Sequence, residues 1–125
     1  MDLNVYFKSV IDQDPASVVL CDLDHTIVYM NPAAIRNYAK HGGEKLVGRS
    51  LLHCHNPNSN SRIQEVVDWF AASPEHNLIY TYHNDKQNKD VYMVALRDAD
   101  GTLIGYYEKR EFRNPETMPR YDFGE

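Results

Sequence analysis

The chain has little of what marks several common protein classes. Only two cysteines, Cys21 and Cys54, stand among 125 residues, one in an apolar run and one in a polar loop, which is no disulfide framework. A reduced, cytoplasmic setting follows as the simplest expectation. No apolar run approaches the ~20 residues of a membrane-spanning helix, and Met1-Asp2-Leu3-Asn4 lacks the basic stretch and apolar core of a secretory signal. No membrane partner is expected. Lysine and arginine form no cluster and the formal charge is −5, which argues against nucleic acid, because affinity for a phosphate backbone rests on concentrated positive charge. Neither a Cys-x-x-Cys nor a His-x-x-x-His pair is present to seed a tetrahedral zinc site, so no metal is expected.

What is present is globular in kind. The chain is 42% hydrophobic and 25% charged with no low-complexity tract, and its length suits one domain rather than two. Leu3, Phe7, Val10 and Ile11 fall at near-helical spacing, which predicts a short amphipathic helix ended by Asp14-Pro15. Its apolar face must cover the sheet or pair with a second copy of the chain. Val18-Leu23 and Thr26-Met30 suit strands, and Asn31-Pro32 sets up a helix over Pro32-Lys40 with proline in the first helical position. Glu44-Val47 reads as a short helical turn closed by Gly48.

In Arg62 to Ala72, Ile63, Val66, Val67 and Phe70 fall at i, i+3, i+4 and i+7, an apolar stripe that predicts a helix. Ser61 and Gln64 resemble a capping box at its start, and Ser73-Pro74 stops it. From Asn77 the period changes to two, and three strands follow: one around Leu78 to His83, Val91 to Leu96, and Leu103 to Phe112. The fold class expected is α+β, with five antiparallel strands and helices over one face.

Asp22-Leu23-Asp24-His25-Thr26 permits two functions. A hydrophobic segment followed by Asp-x-Asp-x-Thr resembles the nucleophile loop of haloacid-dehalogenase-like phosphatases, which implies a phosphoryl-transfer role for Asp22 and Asp24 with magnesium. The alternative is a hairpin turn between two strands. The sequence repeats the pattern as Asp98-Ala99-Asp100-Gly101-Thr102, and a pattern used twice between strand-like runs favours turn chemistry over catalysis. The phosphatase also needs strand-helix-strand units that the second half lacks, so the chain is read as no enzyme.

The order of elements, with its marker residues, resembles a PAS sensory domain over about Leu3 to Arg113. The likeness rests on Cys21-Asp22-Leu23-Asp24-His25-Thr26-Ile27-Val28-Tyr29-Met30-Asn31-Pro32, on Glu44-Lys45-Leu46-Val47-Gly48-Arg49-Ser50-Leu51, and on Ala95 to Gly105 as a last hairpin. His53-Cys54-His55-Asn56-Pro57 is similar to the Cys-His-Pro loop of a bacterial PAS subgroup sometimes joined to hemerythrin-like domains, though Asn56 stands before the proline. Glu111-Phe112-Arg113 replaces the usual Asp-x-Thr. The resemblance implies a single domain over residues 1–113 with a tail over 114–125. It also implies a stand-alone sensor that binds a small ligand between sheet and helices and signals through a homodimer or a partner protein.

The ligand stays unknown, with haem a candidate. His53 and His55, one residue apart, would face one side of an extended loop with Cys54 opposite, and imidazole and thiolate both suit iron. His53, Cys54 and His55 are therefore the candidate haem residues. Tyr80, Tyr82 and Tyr92 are the candidates for lining the pocket, where a hydroxyl among apolar walls orients a ligand. Trp69 is assigned to packing.

Overall fold

Five antiparallel strands form one sheet in the order β2-β1-β5-β4-β3, with the segment from α2 to α3 packed over one face. The computed structural model describes residues 1–54, 57–122 and 124. The strands are β1 Val19–Asp22, β2 Ile27–Met30, β3 Leu78–Asn84, β4 Lys89–Arg97 and β5 Leu103–Phe112. The helices are α1 Leu3–Asp12, α2 Pro32–Asn37 and α3 Pro57–Ala72, with 3-10 turns at Ala39–His41, Gly43–Leu46 and Leu51–Cys54 between the last two.

The two Asp-x-Asp segments adopt the same turn. Asp22 Oδ1 accepts from Asp24 N at 2.9 Å and Thr26 N at 3.0 Å, and Asp98 Oδ1 accepts from Asp100 N at 2.9 Å and Thr102 N at 3.0 Å. The carboxylates satisfy their own turns, which is why aspartate recurs there. The β1–β2 pairing is a hairpin across Asp22-Thr26, as its strand register shows.

Asn31 fixes how the first half meets the sheet. Its side chain is fully buried and caps α2, accepting from Ala34 N at 2.9 Å. The same oxygen accepts from Val18 N, while the amide donates to the carbonyls of Ile11 and Ala16 at 3.0 Å each. One residue thus ties the end of α1, the connector and α2 to β1.

The expected stripe on α3 is met, with Ile63 and Phe70 buried and Val66 and Val67 partly so. Its beginning differs from the sequence expectation: α3 starts at Pro57, and Ser61 lies inside it, donating to the Pro57 carbonyl at 3.0 Å. Proline at the first helical position needs no amide partner, so it starts the helix where the capping pattern did not. At the other end Arg97 donates to the Phe70 carbonyl at 2.8 Å and to that of Ser73 at 3.0 Å, supplying partners to exposed helix-end carbonyls. Trp69 packs on the core and stacks on His76 at 3.9 Å.

The core lies between the sheet and the α2–α3 segment, around Cys21, Ile27, Met30, Leu46, Phe70, Met93 and Tyr106. In contrast, α1 buries none of its residues. It lies on the opposite side of the sheet, where Val10 and Ile11 line one open hollow with Leu20 and Tyr107. Phe7 is 58% exposed. Among the described residues no helix is long and apolar enough to cross a membrane.

Candidate functional site

Counting in twos from the buried Tyr106 places Glu108 and Arg110 of β5 on the same face, toward the helices. Their side chains are 21% and 10% exposed. Arg110 Nη2 donates to Glu108 Oε2 at 3.0 Å, and Nη1 donates to the Ser17 carbonyl at 2.8 Å. Tyr38, just after α2, brings its hydroxyl to 3.4 Å from Arg110 Nη2. These contacts give the largely buried guanidinium an ion-pair partner, a carbonyl and a nearby hydroxyl. Burial pushes the nearby Lys89 ammonium below its ordinary range, and the Arg110 charge adds to that. Burial also raises the Tyr82 hydroxyl, with Glu108 contributing.

This polar group borders a cavity of about 30 Å³ whose other walls include Val19, Ile27, Met30, Leu46 and Leu51. That is the space of one water molecule. Two more open hollows adjoin it. One, of about 300 Å³, shares Tyr38 and Leu46 with the cavity and is also lined by His41, Arg49 and His53. The other, of about 330 Å³, shares Glu108 and is lined by Arg62 and Ile63 of α3 and by Tyr82.

At the far side of the cavity Tyr106 hydrogen-bonds to His25 Nδ1 at 2.8 Å. Burial drives the Tyr106 hydroxyl far up from its usual range, with Cys21 beside it adding to the shift. His25 sits at φ 65°, where the equivalent turn has Gly101 at φ 82°. A non-glycine residue there is uncommon, and the Tyr106 bond, together with His25 N donating to the Asp22 carbonyl at 3.1 Å and Leu51 N donating to the His25 carbonyl at 2.7 Å, holds it.

The structure divides the tyrosines expected to line a pocket. Tyr82 does face the helices, beside the second hollow, because a bulge between Tyr80 and Tyr82 shifts the register of β3. Tyr80 and Tyr92 pair across β3 and β4 on the opposite face, with ring centroids 5.3 Å apart. Tyr80 donates to Asp90 at 2.8 Å, and Arg113 donates to Tyr92 at 2.9 Å. They take no part in the cavity, since period-two alternation sends them away from Met93 and Val91.

His53 is exposed on the rim of the first hollow. His55 lies outside the described residues, as does the side chain of Cys54, so the expected three-donor loop is represented by His53 alone. The residues missed in the sequence are Glu108, Arg110 and Tyr38. Alternation along β5 contained the signal for the first two, whereas nothing local marked Tyr38.

A sequence profile of the PAS fold matches residues 11–108, most of the chain, and the chain belongs to that family. Solved structures share the architecture. The PAS domain of a Colwellia psychrerythraea protein superposes with a TM-score of 0.64 at 14% identity, covering 90% of this chain and 98% of that one. The PAS domain of Bordetella pertussis BvgS gives 0.63 at 15% identity, with 92% and 89% covered. The Aer2 receptor of Vibrio cholerae, a dual PAS-haem oxygen sensor, gives 0.51 at 17% identity, with 78% and 94% covered. No curated protein matches the chain.

Proposed function

We propose that residues 1–113 work as a cytoplasmic sensory unit that binds a small ligand between sheet and helices and signals through a dimer or partner surface. It performs no catalysis in this reading. The observation that carries it is the position of Arg110, which lines the cavity and donates from Nη1 to the Ser17 carbonyl and from Nη2 to Glu108. Ser17 belongs to the connector between α1 and β1, and its hydroxyl accepts from Asn37 Nδ2 at 2.6 Å. A ligand that changes the partners of Arg110 changes the seat of α1. The ligand acts by differential affinity for two arrangements of that connector. The apolar face of α1, exposed at Leu3, Phe7 and Val10, is the surface that would pass the state to a second copy or a partner.

Mass spectrometry of the purified protein, native and then denatured, tests this. A small molecule released on unfolding, whose return alters hydrogen exchange along α1, is the expected result. A ligand that binds without altering α1 would defeat the proposed signalling route.

Haem is the second reading, favoured by His41 and His53 on one hollow and by the likeness to Aer2. The cavity between sheet and helices does not fit the macrocycle at about 30 Å³. Haem would therefore have to enter at the hollow. Titration with hemin decides: a Soret band lost in His53→Ala supports that reading, and no band rejects it.

A further inference from the structure

The charges around the cavity are unbalanced. Three guanidinium groups, Arg49, Arg62 and Arg110, line the cavity and its two hollows, and Glu108 is the one carboxylate among the described residues lining them. Arg49 and Arg62 make no ion pair with the described residues. Arg49 and Arg62 stand exposed at the rims of the hollows, whereas Arg110 is the guanidinium held largely away from water. The walls between the guanidinium groups are aliphatic, at Ile27, Met30 and Leu46.

We propose that Glu108 is an internal stand-in: it occupies on Arg110 the position that the carboxylate of a small apolar or aromatic organic acid takes when bound. The inference rests on the reading of the cavity as a ligand site. A carboxylate forms a strong charge-assisted bond with a guanidinium nitrogen, and Arg110 Nη2 is the nitrogen not already donating to the Ser17 carbonyl. In the absence of such an acid, the buried Arg110 needs a counter-charge, and Glu108, two residues away on the same strand, supplies it at 3.0 Å. On binding, the acid takes over Arg110 Nη2 with the Tyr38 hydroxyl alongside, and Glu108 swings toward the second hollow, which it already lines and where Arg62 stands. The apolar body of the acid extends past Leu46 into the first hollow, of about 300 Å³, which shares Tyr38 and Leu46 with the cavity. No covalent step is involved.

The competition gives the proposal its test. Isothermal titration of the full chain with benzoate, phenylacetate and hexanoate is set against their amides and the matching amines. The acids are expected to bind, and the amides to bind about tenfold more weakly or worse, the size of one charge-assisted hydrogen bond. Glu108→Gln keeps the shape and removes the competing charge, so it should tighten the acids several-fold while leaving the amides unchanged. Tyr38→Phe should weaken the acids, and a thermal melt of each variant verifies folding. Amides or amines that bind as well as the acids would overturn the proposal and leave the ligand site standing. Acids unaffected or weakened by Glu108→Gln in the folded variant would overturn it too. Failure of every acid, amide and amine to bind wild type and variant alike would remove both the proposal and the ligand reading on which it rests.

Discussion

Single residues carry more of this fold than their number suggests. His25 occupies a left-handed position that its twin turn gives to Gly101, so two effects oppose each other when it is replaced. His25→Ala keeps the backbone strain and strips the buried Tyr106 hydroxyl of its 2.8 Å partner, and about 1–3 kcal/mol of stability should be lost. His25→Gly loses the same bond but relieves the strain. It should be the milder change in urea melts, and equal losses would show that the backbone conformation costs nothing. Asp90 on the outer face is a second case. Arg113, His83 and Tyr80 all approach its carboxylate, with Arg113 the largest influence, and hold it well below the usual carboxylate range. A depressed folded-state value means stability that is complete above the ordinary range and lost as pH falls through the folded one. Asp90→Asn should therefore be less stable than wild type at neutral pH, with the gap closing below about pH 4. A gap constant from pH 7 to acid would refute the ionic origin.

At the scale of elements, close approach and end-capping decide what propensity leaves open. Gly105 faces Asp22 across β1 and β5, and a Cβ there would lie 2.1 Å from the Cys21 carbonyl oxygen. That neighbour is backbone and cannot turn aside. Gly105→Ala should force the two strands apart at a cost of about 1–3 kcal/mol or more. Hydrogen-exchange protection should fall along Val19–Asp22 while β3 and β4 keep theirs. Full protection in β1 would mean that the strands separate less than this geometry requires. The stripe of α3 was legible because helical period and burial coincide at Ile63 and Phe70. Its first turn was not, because the helix begins at Pro57, four residues before the Ser61 of the expected capping pattern, and its last turn is completed by Arg97, 27 residues after Phe70.

For the whole molecule, the open question in the sequence was where the first helix buries its apolar face. The structure leaves Leu3, Val5, Tyr6, Phe7 and Val10 more than half exposed, and a helix this short is marginal without a partner surface. Lys8, Asp12 and Tyr29 attach it to β2 by polar contacts, which hold its orientation without covering that face. Deleting residues 1–13 should convert a dimer into a monomer in sedimentation measurements. An unchanged mass would assign the exposed face to a different partner.

The sequence by itself determined the order of elements, the two aspartate turns, the antiparallel pairing and the α3 stripe, because period, turn chemistry and capping are local properties of neighbouring residues. It also carried the family likeness, in the hairpin and in the Ala95–Gly105 segment. Only the tertiary structure decided which face each tyrosine takes. A bulge in β3 puts Tyr82 opposite Val91 on the helix face, where it stays 43% exposed, while Tyr80 pairs with Tyr92 on the other face, and bulges depend on the partner strand. The Arg110–Ser17 bond joins residues 93 positions apart, and the Tyr38 hydroxyl reaches the same guanidinium from 72 positions away. No window along the chain contains both ends of either contact, so the candidate site becomes visible only once β5 has been laid beside β1 with α2 folded over them.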